Sequence, residues 1–280
     1  MLQDNLLAPR PPWATGALEL LARHRFLTAR QLAAVLGLEE SEVAPAMSAL
    51  VAEGVLQTLT PTTLALATPG SPAFALTRAG LACLSAESDT SARHVTRPLR
   101  SSMTLAHELF VNELALVLHL LDARGTLRLL SWQTARERIA DVTHLAEKGR
   151  VIRVPLVADA LAVVEHHGER SGLLVEIDMG TVSAKTMRQK FHGYHAWWSE
   201  GGPARRFGLT ATRVLTIAPA PRRFARLREL AVEAIDGRGS GLHWFLPHGA
   251  VDVVAPERFL AAVARVGRAG DDEPRPLFPR

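Results

Sequence analysis

The chain has 280 residues, 48% of them hydrophobic and 21% charged. That is too apolar for a disordered chain and long enough for two domains, each with its own core. Cys83 is the sole cysteine, which excludes a disulfide framework and a cysteine-based zinc site and fits a cytoplasmic protein. The net charge of +4 is uneven: residues 1–99 carry 7 Lys+Arg against 8 Asp+Glu, and residues 100–280 carry 25 against 20. The positive field, and any acidic partner, therefore belongs to the second part. No apolar stretch approaches the roughly 20 residues of a membrane span. The opening M-L-Q-D-N-L-L-A-P-R lacks a basic patch followed by an apolar block, so no secretory leader and no membrane are expected.

In chain order, A-L-E-L-L-A-R-H-R (17–25) has a helical pattern. Thr28 can cap a second helix that Gly37 stops, and Ser41 a third that Gly54 stops. V-L-Q-T-L and T-L-A-L-A alternate around Pro61, a hairpin signal, and F-A-L-T-R-A-G-L-A-C-L passes from strand into helix. Short helices followed by a hairpin resemble a winged helix-turn-helix, expected over residues 1–90, although a generic small helical domain fits the same pattern. The third helix has no Arg or Lys, and Glu42 and Glu53 would repel phosphate. Arg30 and Arg78 are the available DNA contacts. The alternative task for this module is homodimerisation or protein binding.

Residues 91–102 read as a polar linker, 103–268 as a second domain and 269–280 as a loose tail. Met103–Asp122 is a long apolar helix, 127–132 a strand, 151–165 one long strand or two, and 172–178 another. Helix Val182–Ser199, strand 212–218, an Arg-rich helix Arg222–Ile235, strand 242–246 and helix Pro256–Val266 follow. The order α-β-β-β-α-β-α-β-α indicates an α+β or α/β domain, a mixed sheet with flanking helices.

Chemistry concentrates on G-L-L-V-E-I-D-M-G (172–180), where an apolar run ends in Glu176 and Asp178. Strand residues two apart share a face, so Glu176 and Asp178 lie together, and Asp159 in the preceding strand converges with Glu176 if the two strands pair. Gathered carboxylates are stable only with positive charge between them, and a hard divalent cation such as Mg²⁺ or Mn²⁺ is the natural candidate. Asp178 alternatively ends its strand in solvent. Only Lys148, Lys185 and Lys190 are lysines. Met187, Phe191, Tyr194 and Trp198 form one helical stripe, with Lys190 on its border and Lys185 roughly opposite. Lys190 can thus reach the sheet as a compact point charge, which arginine does not replace; the alternative packs its stem on the core with the head in water. On the first helix of this domain, His107, Glu108, Asn112, His119 and Asp122 share a polar face, whereas Glu113 stands among apolar residues and needs a partner, a metal or an arginine.

An acidic helix, then A-D-A-L-A-V-V, then V-E-I-D, resembles the core of the PD-(D/E)XK nuclease superfamily. The fuller run A-D-A-L-A-V-V…L-L-V-E-I-D-M-G-T…K-F-H-G-Y, with L-A-H-E-L-F-V-N-E and L-S-W-Q-T-A-R-E upstream, resembles the replication-relaxation family of plasmid and mobile-element proteins over roughly residues 17–220. That resemblance implies a winged helix before a restriction-endonuclease-like domain, DNA as partner, and metal-dependent phosphodiester hydrolysis. Asp159 and Glu176, with Glu113, would hold Mg²⁺ or Mn²⁺, and Asp159, Glu176, Lys190 and Asp178 would form the catalytic set. Arg205, Arg206, Arg213, Arg222, Arg223, Arg226 and Arg228 would grip the DNA backbone. Two positions depart from the superfamily pattern: Ala158 replaces a proline, and Asp178 stands where a lysine is usual, which moves the lysine's role to Lys190. A non-catalytic DNA-binding or regulatory protein on a nuclease-like scaffold is the alternative.

Overall fold

The computed structural model describes residues 10–60, 72–84, 102–135, 139–147, 149–219, 222–235, 241–261, 263–266 and 275–278. The expected strand T-L-A-L-A, most of the expected linker and most of the expected tail lie outside them. The chain is mixed α+β with several sheets. Its contacts divide it into two units, Met1–Asn112 and Glu113–Arg280, with the division inside the long helix Ser102–Ala123.

The first unit runs α1 (Ala14–His24), β1 (Leu27–Thr28), α2 (Ala29–Leu36), α3 (Glu40–Ala52), β2 (Leu56–Leu59), β3 (Ala73–Leu76) and α4 (Arg78–Ala82). Thr28 and Gln31 form a reciprocal capping box at the start of α2, and Gly37 ends it in the left-handed conformation at φ 69°. These are the signals legible in T-A-R-Q-L-A-A-V-L-G. α3 starts earlier than expected: Glu39, not Ser41, takes the cap, with Glu42 bonding back to its N–H. The three strands form an antiparallel sheet in the order β1-β3-β2, so the partner of β2 is A-F-A-L (73–76). Phe26, Ala73 and Ala75 pack with Leu105 and Leu109 from α5 (Ser102–Ala123).

Two residues of the expected polar face of α5 are used inside this unit. Asn112 donates to the carbonyls of His24 and Phe26 (2.9 and 2.8 Å), and Glu108 pairs with the buried Arg25. By length and composition α5 is apolar enough to cross a membrane, which corrects the expectation that no stretch is, but 67% of its apolar window is buried inside the fold, as in a core helix.

The second unit carries β4 (Arg128–Thr134), β5 (Ala140–Glu147), β6 (Arg150–Val157), β7 (Ala160–His166), β8 (Glu169–Ile177), α6 (Ala184–Ser199), α7 (Gly202–Phe207), β9 (Thr212–Ala218), α8 (Arg222–Ala234), β10 (His243–Pro247), α9 (Glu257–Ala261), β11 (Val263–Val266) and β12 (Arg275–Pro276). The seven-stranded sheet has the order β12-β11-β10-β9-β8-β7-β4. β4, β7 and β8 are antiparallel neighbours, β8, β9 and β10 parallel ones. The segment 151–165 is two strands, because the chain leaves the separate β5–β6 hairpin at Val157 and enters the main sheet at Ala160. β5 was not foreseen, since A-D-V-T-H-L-A-E mixes polar and apolar residues without the run expected of a buried strand. The expected helix Pro256–Val266 is a short helix followed by strand β11, as the β-branched Val263 and Val266 favour.

α6 lies against both sheets. Met187, Phe191, Tyr194 and Trp197 form its buried stripe, whereas the expected Trp198 is 37% exposed. Against the hairpin the approach is close enough that a Cβ on Gly193 would meet Val154 at 2.9 Å and Leu156 at 3.0 Å. Leu156, Leu161, Leu174, Tyr194, Trp197 and Val214 belong to one core cluster here.

Candidate active site on the β7–β8 pair

β7 pairs with β8 so that Ala160 faces Val175, and the ladder runs one step further: Asp159 N–H donates to the Val175 carbonyl (2.9 Å), while Ile177 N–H donates to Asp159 Oδ2 (2.8 Å). Asp159 and Glu176 therefore stand opposite one another at the mouth of the pair. On the other side of Glu176, parallel β9 places Thr216 in register. Thr216 Oγ1 is buried without a hydrogen-bond partner among the described residues. Two carboxylates and a hydroxyl thus form a row of oxygens across three adjacent strands. Thr216 was missed at the sequence level; its only signal is the alternation Thr212, Val214, Thr216 in T-R-V-L-T-I-A.

α6 closes over this row. Lys190 Nζ donates to Glu176 Oε2, and the Tyr194 hydroxyl donates to Glu176 Oε1. One helical turn separates the two donors, as i, i+4 spacing requires. Glu176 is 5% exposed. Burial raises its carboxyl, the Lys190 charge opposes, Asp159 adds to the rise, and the outcome is about 7. Burial lowers Lys190, but the charges of Glu176 and Asp159 outweigh it and hold the ammonium above its usual range. Tyr194 is pushed well above the usual phenol range by burial and by Glu176. Its hydroxyl remains protonated at neutral pH and donates.

Asp178 does not join this group. Its carboxylate receives a two-pronged contact from Arg223 on α8 (Nε to Oδ2 2.7 Å, Nη2 to Oδ1 2.9 Å), and its Oδ2 also accepts from Gly180 N–H. Arg223 further donates to the Val182 carbonyl, which ties the β8–α6 loop to α8. Glu113 is separate too: it is 6% exposed and accepts from Val253 N–H (2.8 Å). The expected three-carboxylate set of Glu113, Asp159 and Glu176 does not assemble, since no three His, Cys, Asp or Glu side chains among the described residues are grouped to hold a metal. The pair Asp159–Glu176 still fits a hard cation by donor chemistry. Both donors are oxygens, and a Glu176 carboxyl raised to about 7 marks a place where added positive charge stabilises the ionised form.

The arginines proposed for DNA scatter. Arg226 pairs with Glu229 and Glu233, Arg205 donates to the Glu200 carbonyl, and the Arg206 guanidinium lies 5.4 Å from the Phe207 ring centroid. Arg222 is exposed at the start of α8; in the first unit Arg78 is exposed and Arg30 half-buried. Arg213 stacks 4.9 Å from the Trp244 centroid.

The sequence matches the profile of the replication-relaxation family over residues 18–214, which takes in the whole Asp159–Glu176–Lys190–Tyr194 group. The chain belongs to the replication-relaxation family. No curated protein and no solved structure matches it. Within this replication-relaxation protein, the matched region ends in β9, two residues before Thr216.

Proposed function

We propose that this replication-relaxation protein acts on DNA in plasmid or mobile-element replication or mobilisation, with its second unit a PD-(D/E)XK-like, metal-dependent DNA nickase or endonuclease. One observation carries the reading: Asp159 and Glu176 meet at the end of two paired strands, with the Lys190 ammonium on Glu176. The antiparallel β4-β7-β8 run followed by α6 and parallel β9 supports it.

A divalent cation held by Asp159 and Glu176 would polarise a phosphate oxygen and activate water. Lys190 holds Glu176 Oε2 and offers positive charge where negative charge develops on phosphate. Tyr194 fixes the other oxygen, so the Glu176 carboxylate cannot rotate away. Tyr194 is the only tyrosine of the chain and is 2% exposed, with its hydroxyl committed to Glu176. A phosphotyrosine route thus has no accessible nucleophile, and hydrolysis by water is the better reading.

The first unit is proposed as a winged helix. The exposed face of α3 presents Glu40 and Glu42, flanked by Glu39 and Glu53, and no cation. That charge suits a protein surface, including a second copy of the chain, better than phosphate.

A non-catalytic DNA-binding scaffold is the second reading, favoured by one feature: both Glu176 oxygens are already engaged by protein donors. Nicking of supercoiled plasmid with Mg²⁺ or Mn²⁺ decides between them. Activity lost in Asp159→Ala supports the hydrolase; activity equal in wild type and Asp159→Ala removes it, and binding without any cleavage supports the scaffold.

A further inference from the structure

A cleft of about 410 Å³ opens on the same unit, lined by Ser131, Gln133, Leu161, Val163, Arg170, Arg206 and Phe207. Its floor follows from register. Leu161 faces Gln133 on one side and Leu174 on the other; Val163 faces Ser131 and Gly172. By strand alternation Asp159, Leu161 and Val163 project to one face, as do Arg170, Gly172, Leu174 and Glu176 on β8. The cleft therefore lies on the face that carries the paired carboxylates. At roughly 3.3 Å per residue its floor begins about 7 Å from Asp159 and extends to about 13 Å. Phe207 also lines a smaller cavity that reaches Tyr194.

The lining has two guanidinium groups, one amide and one hydroxyl, and no carboxylate. Arg170 is exposed and has no ion-pair partner among the described residues. Arg206 is exposed at the C-terminal turn of α7, across from it, its guanidinium near Phe207. Two planar forks beside the Ser131 hydroxyl and the Gln133 amide, over an apolar floor of Leu161 and Val163, suit phosphate oxygens, which accept bidentate arginine contacts. The volume suits one sugar-phosphate unit and not a duplex.

We propose that this cleft binds the backbone of a single nucleic-acid strand, with Arg170 and Arg206 on successive phosphates and Gln133 and Ser131 facing the sugar or base edge. Between the cleft and the carboxylates the sheet face is covered, since Leu161 and Leu174 are each 2% exposed and belong to one core cluster with Tyr194 and Trp197. A strand held here therefore lies beside the carboxylate pair rather than along the bare sheet. The inference rests on the reading of this unit as acting on DNA, and supplies the strandedness and the grip that the carboxylate pair lacks.

The test is fluorescence anisotropy of a labelled single-stranded oligonucleotide, measured in EDTA so that no cleavage intervenes, across a salt series. Arg170→Ala/Arg206→Ala is expected to weaken binding at least about tenfold and to reduce the slope of log K against log salt by about 1.4, two contacts at about 0.7 each for a single strand. A charge-matched control, Arg188→Ala/Arg258→Ala, removes two exposed arginines that pair with Glu233 and Asp252 outside the cleft and is expected to bind like wild type. Gln133→Ala, with the charge unchanged, is expected to weaken binding about threefold. Far-UV circular dichroism checks that each variant folds. The proposal is overturned if the cleft variant binds like wild type, if the control loses as much, or if a mononucleotide competes as well as the oligonucleotide. Nicking that still requires Asp159 while the cleft variant binds normally would sink the cleft and leave the hydrolase; the converse pattern would do the opposite.

Discussion

The Lys190 ammonium on α6 donates to the Glu176 carboxylate on β8, fourteen positions back in the chain. Glu176 is 6% exposed in its side chain and Lys190 25%, so the pair lies at the edge of the interior, where an ion pair matters more than on an open surface. Lys190→Met leaves two carboxylates without the charge that both feel. Stability at pH 8 is expected to fall by about 2 kcal/mol. At pH 5 the loss is smaller, because Glu176, raised to about 7, is then protonated and needs no ammonium. Urea unfolding at both values measures this, and equal losses would contradict the account. Lys190→Arg is expected to restore most of the stability but not nicking, since a planar fork does not replace a compact charge.

Tyr194→Phe removes one hydrogen bond to an ionisable carboxyl and little volume. The expected cost is about 2 kcal/mol. Carboxyl-carbon NMR should show Glu176 titrating higher in the variant than in wild type, since a group that favours the ionised form is gone.

Arg223→Ala strands the Asp178 carboxylate, whose side chain is 2% exposed. Thermal and urea unfolding are expected to show a loss of about 3–5 kcal/mol. Because the damage is an unpaired charge, Asp178→Ala/Arg223→Ala should be more stable than the sum of the single losses predicts. Additive losses would mean that the pair does not act as a unit.

Gly80→Ala tests the first unit by itself. A Cβ there would lie 2.2 Å from the Val55 carbonyl oxygen, a backbone atom that cannot swing aside. A loss of at least about 1–3 kcal/mol is expected, seen as earlier melting. An unchanged melting curve would show that the α4 turn does not sit against Val55.

His243 sets a pH dependence. It is wholly buried, and burial, with His195 beside it, depresses its pKa from 6.5 to about 3. Between these values the unfolded chain binds the proton and the fold does not, so stability rises with pH across that window. The contribution is complete above about 6.5 and drains as the pH falls toward about 3. His243→Phe, which keeps an aromatic ring against Phe191, should flatten this acid limb relative to wild type.

Local order was readable where the signal was local. The T-A-R-Q box at Thr28, the stop at Gly37, the strand 212–218 and the Met187, Phe191 and Tyr194 part of the α6 stripe all follow from residues within a few positions of one another. Strand β5 and the start of α3 were not readable although their partners are near in sequence: β5 mixes polar and apolar residues and is held by pairing with β6, and the α3 box uses Glu39, a residue of weak cap preference, rather than Ser41.

By itself the sequence determined that Glu176 and Asp178 share one face of a strand, that Asp159 would meet Glu176 if the two strands pair, and that Lys190 lies on the border of a helical apolar stripe, because side-chain alternation along a strand and the turn of a helix are properties of the chain's own spacing. The replication-relaxation resemblance was present in the same residues. Only the tertiary structure decided which partner each carboxylate receives: Lys190 and Tyr194 for Glu176, Arg223 for Asp178, the Val253 amide for Glu113. The Glu176 and Asp178 choices depend on how α6 and α8 are rotated against the sheet, and the Glu113 choice on where α5 meets the segment of Val253; all are set by long-range packing that no spacing rule encodes.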